Sequence, residues 1–524
     1  MANLRDFTGK NRRFTGTSGI ISSDTDATTA QRVDEKGRLR FNNTLGLMEY
    51  YNGTTWIAID APPSISSLTP SSVNIPDSAT TVNLQINGSN FSVGVTGSIF
   101  NNSGTEINFA TFSRVSDTRI DATITVADLG TIDDPYDVKV VNASGLANTL
   151  ADGLTFNEKP TWNTSAGSLF SIFNAATGTH ATLSATDPEG GTVNYRLRSG
   201  SLPAGLSLDT SNGAISGDPT DVNTSTTSSF TIGAFDSGSA ETVRAFTATV
   251  SPPPTGGTIT SYSNYTVHSF TSTGTTDFVT STDLTADILV VGGGGAGGSQ
   301  GTSETGGGGG AGGFRTATGV TVPAGTHTVT VGSGGTGVGG TGGDGGATSF
   351  GTLLAASGGG GGAQQETNGR PGGSGGGAGG IDSSVPANTG GSGNAGGYTP
   401  SEGNPGGNNN NGVGDMGAGG GGASNAGEGI NTGPRGGGAG GNGATNDFRT
   451  GSNVTYAGGG GGGMNTSSTT GPGGSGGGGN GNPGGSGSGS AGTNGLGGGG
   501  GGGTGPGTVG GNGGNGIAVI RFEL

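Results

Sequence analysis

Glycine is concentrated in one half of the chain, where 99 of the 125 glycines lie between residues 291 and 520. Ordering a glycine costs more backbone entropy than ordering any other residue, and fixing a residue costs roughly 1–2 kcal/mol. Only 28% of the residues are hydrophobic, so side-chain burial cannot offset this cost throughout the glycine-rich half. This half must therefore fold through backbone hydrogen bonds, and it cannot share one large core with the first half.

The glycine-rich half contains six glycine runs of similar length. A chain in the polyproline II conformation has three residues per turn and rises about 3.1 Å per residue, so an eight-residue run spans about 25 Å. Because glycine lacks a Cβ, such helices can pack closely enough to exchange backbone hydrogen bonds. We therefore predict a bundle of polyglycine II helices formed by the runs 306–313, 371–380, 417–422, 436–441, 457–463 and 496–503.

Polar segments of varied sequence separate the runs and are predicted to be loops. They cover residues 363–371, 381–389, 398–405, 408–416, 423–435 and 444–456. Binding residues concentrate on loops that a rigid scaffold holds, and arginine and aromatic side chains are frequent anchors. The predicted contact residues are therefore Arg370, Tyr398, Arg435, Phe448, Arg449 and Tyr456.

The first half has the pattern of an all-β protein. Residues 1–35 are polar and are expected to form an extended arm that orders against a partner. Residues 36–61 alternate apolar and polar side chains around Asn52-Gly53, which predicts a small module of three strands. Its apolar positions are Leu39, Phe41, Leu47, Tyr50, Trp56 and Ile59.

Three further units follow. Short strands separated by turn residues predict β-sandwiches at 62–158 and 159–251. Residues 252–257 form a proline-rich linker, and 258–524 form the glycine-rich domain, which contains strand-like segments as well as the glycine runs. The predicted fold class is all-β and modular.

Several motifs carry resemblances to known families. LMEYYNGTTWIAIDAPP (47–63) resembles a short motif in structural proteins of marine tailed phages. The resemblance implies that residues 1–61, including Trp56, attach the chain to other virion proteins. VNLQINGSNF (82–91), in which the apolar residues Val82, Leu84 and Ile86 alternate with polar ones along a strand, resembles the immunoglobulin-like TIG (IPT) family. LPAGLSLDTSNGAISGDPT (202–220) resembles Ig-like, cadherin-like repeats of bacterial and phage surface proteins, and Leu206, Leu208 and Ile215 are expected to face the core.

The glycine-rich domain also carries a resemblance. The ordered series ILVVGGGGAGG, VPAGTHTVTVGSGG, ATSFG, ASGGGGG and GNGIAVIRF resembles the glycine-rich domain of phage fibres and receptor-recognition adhesins. The resemblance implies β-strands that anchor polyglycine II helices, and loops that bind a surface protein or glycan of the host bacterium.

Charge and composition exclude several partners. The formal net charge is −16, whereas binding to nucleic acid requires a basic face. The absence of cysteine removes disulfides and thiolate chemistry. The N-terminus lacks the apolar region of a signal peptide, and no apolar run is long enough to span a membrane, so we expect synthesis in the host cytoplasm.

No motif supports catalysis or a cofactor, so a non-enzymatic protein is expected. ADILVVGGGGAGG (286–298) has the spacing of a dinucleotide fingerprint, but the sequence after it cannot form the required helix. Asp187, Glu189 and Asp236 resemble the calcium-ligating turns of cadherin-like repeats. Gly191 replaces an acidic residue common there, so ordinary turn chemistry is the favoured interpretation and calcium the alternative.

The sequence therefore predicts a virion fibre protein that attaches a phage to its host through loops of the glycine-rich domain. The alternatives are a purely structural appendage, such as a neck whisker or capsid fibre, and a bacterial surface adhesin. A homo-oligomer is expected, with a trimer as one form, although no heptad pattern indicates a coiled coil.

Overall fold

The computed structural model describes residues 22–24, 36–37, 39–42, 47–75, 81–300, 305–381, 386–410, 416–430, 436–465 and 469–523. Nearly all regular structure in these ranges is β, which confirms the predicted fold class. Within them, no helix is long and apolar enough to cross a bilayer.

The N-terminal module is a four-stranded sheet in sequence order. Its strands are β1 (Ser22–Asp24), β2 (Leu39–Asn42), β3 (Leu47–Tyr51) and β4 (Trp56–Ile59). The last three are the predicted strands, whereas β1 adds a parallel partner to β2 from the region expected to be an extended arm. The rest of residues 1–35 lies outside the described residues, so the arm itself stays a prediction.

The second module is a two-sheet sandwich with sheet orders β10-β11-β7-β5 and β6-β13-β12-β8-β9. Val82, Leu84 and Ile86 alternate inward from β7, as predicted, and fill the core with residues such as Tyr136 and Phe156. The elements are β5 (Ser64–Thr69), β6 (Ser72–Asn74), β7 (Thr81–Ser89), β8 (Thr96–Phe100), β9 (Glu106–Asn108), β10 (Thr111–Arg114), β11 (Arg119–Thr125), α1 (Val126–Leu129), β12 (Tyr136–Val141) and β13 (Ala147–Asn157).

The third module has sheet orders β15-β22-β21-β18 and β16-β20-β19, with the pair β14-β17 beside them. The predicted inward residues Leu206, Leu208 and Ile215 pack into its core against Trp162 and Tyr195. The strands are β14 (Thr161–Trp162), β15 (Gly167–Phe173), β16 (Gly178–Thr182), β17 (Ala185–Thr186), β18 (Asn194–Gly200), β19 (Leu206–Leu208), β20 (Ala214–Gly217), β21 (Thr226–Phe235) and β22 (Glu241–Ser251).

The glycine-rich domain begins with a compact sandwich of a five-stranded sheet, β23-β24-β33-β26-β27, and a four-stranded sheet, β25-β28-β29-β30. Phe278, Ile288, Phe350, Ile520 and Phe522 fill the space between the sheets. The strands are β23 (Thr258–Tyr262), β24 (Tyr265–Phe270), β25 (Gly274–Thr280), β26 (Leu284–Val291), β27 (Phe314–Val322), β28 (Gly325–Val331), β29 (Thr348–Phe350), β30 (Leu354–Ala356), β31 (Ala444–Asn446), β32 (Val454–Tyr456) and β33 (Ile517–Glu523).

Six glycine helices continue directly from strands at one end of this sandwich. Strands β26, β28 and β30 end where 292–299, 332–337 and 357–363 begin. Helices 306–313, 341–347 and 509–516 lead back into β27, β29 and β33. Because the sheets fix the spacing and direction of these chains, the strands position the first helices of the glycine bundle.

The modules contact one another in chain order. Asp60 accepts hydrogen bonds from Asn142 and Ser144 at one end of the second module. At its other end, Asn74 donates to the carbonyl of Gly238 in the third module. The third module meets the glycine-rich domain through Phe173 and Phe522, whose ring centroids are 6.2 Å apart. Phe522 lies near the end of β33 that points away from the glycine helices.

Candidate functional site

The glycine helices form a lattice with a period of three residues. The N–H groups of Gly306, Gly309 and Gly312 donate to carbonyls of one neighbouring helix, 497–503. Those of Gly307, Gly310 and Gly313 donate to 357–363, and those of Gly308 and Ala311 donate to 418–421, all at 2.8–3.0 Å. Three donor directions at three residues per turn are what a polyglycine II helix provides.

Helix 306–313 also accepts hydrogen bonds from 292–298, 374–377 and 460–463, so it contacts six neighbours. A Cβ on Gly308 would lie 2.0 Å from the carbonyl oxygen of Gly460, and one on Gly309 would lie 2.1 Å from that of Gly295. Glycine is therefore required here by the close approach of neighbouring backbones.

Successive helices run in opposite directions, so the connecting turns lie at two ends. At the sandwich end, the turns adjoin the strands and comprise 372–374, 394–403, 423–426, 444–456, 475–477 and 493–496. At the distal end, on the far side of the lattice, the described turn residues are 338–341, 364–368, 386–388, 483–486 and 505–508. The hydrogen bonds from Gly380 to Thr305 and from Ser299 to Gly340 connect helix ends on the distal side.

The predicted contact residues divide between the two ends. Arg370 is exposed on the lattice flank, two residues beyond the distal turn 364–368, and pairs with Asp344 at 2.7 Å. Arg435 lies outside the described residues, between Ile430 and Gly436, and stays a prediction. Tyr398 lies at the sandwich end, where its ring stacks against the Arg315 guanidinium at 3.8 Å.

Phe448 and Tyr456 are core residues, a correction to their prediction as surface contacts. The hairpin of β31 and β32 folds back onto the outer face of the five-stranded sheet, where both side chains are buried against Val267 and Leu289. Burial raises the pKa of the Tyr456 hydroxyl, and the nearby Arg449 lowers it in part. Arg449 is half-buried at this sandwich-end hairpin, so it too is remote from the distal turns.

Arg521 connects this hairpin to the five-stranded sheet through contacts with both. Its guanidinium lies 4.1 Å from the Phe448 ring centroid and 4.6 Å from that of Tyr265. It also pairs with Asp287 at 3.0 Å and with Asp447 at 3.5 Å. The segment 444–456 is thus part of the rigid scaffold.

Three distal turns lie outside the six polar segments that were predicted to be loops. They are 338–341, 483–486 and 505–508. Two prolines are turn signals that could have identified two of them: Pro483 within Gly-Asn-Pro-Gly-Gly, and Pro506 between two glycines. Val338, Glu366, Asn368, Pro506 and Gly507 are exposed at this end.

The calcium candidates lie near the junction of the second and third modules, where each carboxylate accepts at least one hydrogen bond from the protein. Asp187 Oδ1 accepts the Glu189 N–H at 2.9 Å, and Glu189 Oε1 accepts the Glu158 N–H at 2.9 Å. Asp236 accepts hydrogen bonds from Asn157 Nδ2 and from the Ala240 N–H. Within the described ranges, no three acidic or histidine side chains form a group able to hold a metal.

Glu189 and Asp187 form a carboxyl pair. Partial burial, followed by the hydrogen bond with Asp187, raises the pKa of Glu189 to about 7. The backbone hydrogen bonds to Asp187 and Asp236 are those of ordinary turns, and calcium binding by these carboxylates stays the alternative prediction.

Trp56, the predicted attachment residue, is half-buried in the N-terminal module. The Arg40 guanidinium covers its ring at 4.4 Å, and Tyr51 packs against it with centroids 5.5 Å apart. Its contribution to attachment stays a prediction.

Sequence comparisons identify two parts of the chain. Residues 270–523 match the family described as "Glycine-rich domain", and residues 161–251 match the family described as "Putative Ig domain". The search of curated proteins finds no significant match.

Structure comparisons return extracellular modular proteins at low similarity. The protocadherin GammaB4 extracellular domain is 14% identical over 40% of this chain and 38% of its own, with a TM-score of 0.22. Mouse PcdhgC3 EC1-3 is 14% identical over 40% and 75%, with a TM-score of 0.20. The Ig1-2 module of Drosophila DLAR is 15% identical over 36% and 99%, with a TM-score of 0.15. The chain thus spans well under two thirds of the protocadherin GammaB4 structure.

Proposed function

We propose that this chain is a fibre protein of a bacteriophage virion and that the distal end of its glycine lattice attaches the particle to the host-cell surface. The Ig-like and glycine-rich domains indicate an adhesive or structural surface protein. Residues 1–61 would bind other virion proteins, and the two sandwiches would hold the glycine-rich domain away from the particle.

The distal turns are separated from the N-terminal modules, and this separation is the main support for the proposal. The third module contacts the end of the sandwich that carries Phe522, and the lattice extends from the opposite end. The distal turns are therefore the part of the domain farthest from residues 1–251. Loops on a rigid scaffold lose little entropy on binding, which favours recognition at this end.

The chemistry of the distal end favours a polar ligand, either a surface glycan or a polar loop of a surface protein. Its described turns carry amides such as Gln364 and Asn368, together with the acidic Glu366. The neighbouring Arg370 is already paired with Asp344. Because several copies on one particle would act together, weak binding by each copy would suffice for attachment.

Adsorption of phage particles to host cells tests the proposal. A triple variant, Val338→Ser, Glu366→Ser and Pro506→Ser, changes one exposed residue in each of three distal turns without altering a glycine helix. We expect particles that carry this variant to bind host cells at least about tenfold more weakly at equilibrium, as loss of roughly 1.4 kcal/mol of binding free energy would produce.

A matched control changes three exposed residues of sandwich-end turns: Asn425→Ser, Ser452→Ala and Thr493→Ser. Adsorption of the control should equal that of the wild type. Equal adsorption of the distal variant and the control would overturn the proposal and favour a structural appendage, such as a neck whisker or capsid fibre.

A further inference from the structure

Side chains of the outer helices, most of them exposed, cap backbone N–H groups that no carbonyl of a neighbouring helix reaches. Asp344 accepts such a hydrogen bond from the Gly361 N–H, and Glu428 accepts one from the Ala439 N–H. Ser488 accepts one from the Val509 N–H. Asparagine is the commonest cap among the described residues, and the capping asparagines are Asn368, Asn408, Asn442, Asn480, Asn494, Asn512 and Asn515.

Helix 332–337 shows the arrangement most clearly. Its Gly335 N–H points inward and donates to the Gly294 carbonyl at 2.9 Å. The N–H groups of Gly334 and Gly337 instead donate to Asn515 Oδ1 at 2.9 Å and to Asn512 Oδ1 at 2.7 Å. Asn512 and Asn515 are three residues apart, which is one turn, so they lie on the same face of helix 509–516.

An asparagine side chain ends in a carboxamide, which presents the same acceptor as a peptide carbonyl. In the interior, as at helix 306–313, every N–H group finds a carbonyl of an adjacent helix. At the flank, the side-chain carbonyl of Asn512 or Asn515 takes the place that a carbonyl of one more helix would fill.

We infer that these caps close the lattice flank against glycine helices from a second copy of the chain. A row of unpaired N–H groups beside exposed backbone is a template for further pairing, as it is at the edge of a β-sheet. Capping the donors removes that template, and the side chains occupy the groove that an added helix would enter. This inference does not depend on host attachment.

The test is the association state of full-length protein with Asn512→Gly and Asn515→Gly. Glycine is compatible with the helix, frees the Gly334 and Gly337 donors and empties the groove. We expect self-association that rises with concentration and a weight-average mass about twofold above wild type by sedimentation, as a self-complementary dimer would give.

Two controls separate this effect from a general effect of glycine. Asn425→Gly changes an exposed asparagine for which the described residues show no side-chain cap, and its mass should equal that of the wild type. Asn512→Asp with Asn515→Asp keeps both acceptors and should also leave the mass unchanged. If the double glycine variant does not fold, Asn512→Gly alone gives the same comparison.

Amide hydrogen exchange provides a second readout. In the associated variant, the Gly334 and Gly337 amides should regain protection as concentration rises. A folded glycine variant that keeps the wild-type mass at every concentration would overturn the inference, as would equal association of Asn425→Gly.

Discussion

The carboxylate of Glu402 accepts the backbone N–H of Ser357 at 2.7 Å, where strand β30 gives way to a glycine helix. Its second oxygen accepts the Gly396 N–H at 3.0 Å, and its own carbonyl accepts the Phe314 N–H at 2.8 Å. One residue of the turn 394–403 therefore joins that turn to two places where strands and glycine helices meet.

We expect Glu402→Ala to destabilise the glycine-rich domain. The side chain is 1% exposed, and its removal leaves two N–H groups without their acceptor, at about 1–3 kcal/mol each. Thermal unfolding should show a lower midpoint than for Asp277→Ala, which removes an exposed carboxylate in the same domain. Equal midpoints for the two variants would show that Glu402 does not stabilise the junction.

Gly309→Ala should disrupt the centre of the lattice. The new Cβ would lie 2.1 Å from the Gly295 carbonyl oxygen, and overpacking a close-packed interior costs about 1–3 kcal/mol or more. At Gly340 the nearest atom to a Cβ is the flexible Gln364 side chain at 3.4 Å, so Gly340→Ala is the matched control. Chemical denaturation should separate the two variants, and equal stability would contradict the packing described here.

The stability of the third module should fall as pH rises from about 4.5 to about 7. The pKa of Glu189 is raised from 4.5 to about 7, so the folded state binds this proton more tightly than the unfolded state. Its stabilisation is complete below pH 4.5 and is lost as pH rises through 7. Solvent screening reduces its size because Glu189 as a whole residue is exposed, although its carboxyl is partly desolvated. Glu189→Gln should flatten the pH profile of unfolding, and parallel profiles for variant and wild type would refute the assignment.

His268 should make the glycine-rich domain sensitive to acid. Its fully buried ring donates from Nδ1 to the Gly256 carbonyl at 2.7 Å, and burial lowers the pKa of the imidazole below 6.5. Because the unfolded state binds the proton more readily, stability is retained above pH 6.5 and lost as pH falls below it. His268→Gln should reduce this loss, measured by denaturation between pH 7 and pH 5; an unchanged loss would exclude His268 as its source.

Strand periodicity and long glycine runs made the architecture predictable. Val82, Leu84 and Ile86 alternate inward as expected, and run 306–313 lies at the centre of six helices. The end of the lattice to which a polar segment belongs was not predictable, because it depends on how many helices precede the segment. Short helices such as 404–409 contain proline and asparagine, which are tolerated at the outside of the lattice. Their composition is therefore that of a loop, and they were predicted as loops.

The two aromatic candidates were misassigned for a related reason. Phe448 and Tyr456 stand out in a polar, glycine-rich segment, and aromatic residues are frequent at binding surfaces. Together with Val454, the same side chains form the apolar surface by which that segment packs on the sheet, and both aromatic residues are buried there. The three-residue spacing of Asn512 and Asn515 was a usable signal of a shared helix face.

Electron microscopy of particles that carry a tag between Pro506 and Gly507 would show whether the distal turns face away from the particle. Both residues are exposed in a distal turn, so the insertion leaves the glycine helices intact. We expect label at the outward tips of the appendages, with residues 1–61 against the particle. Label at the particle surface, with the opposite end of the appendage free, would contradict the proposed orientation.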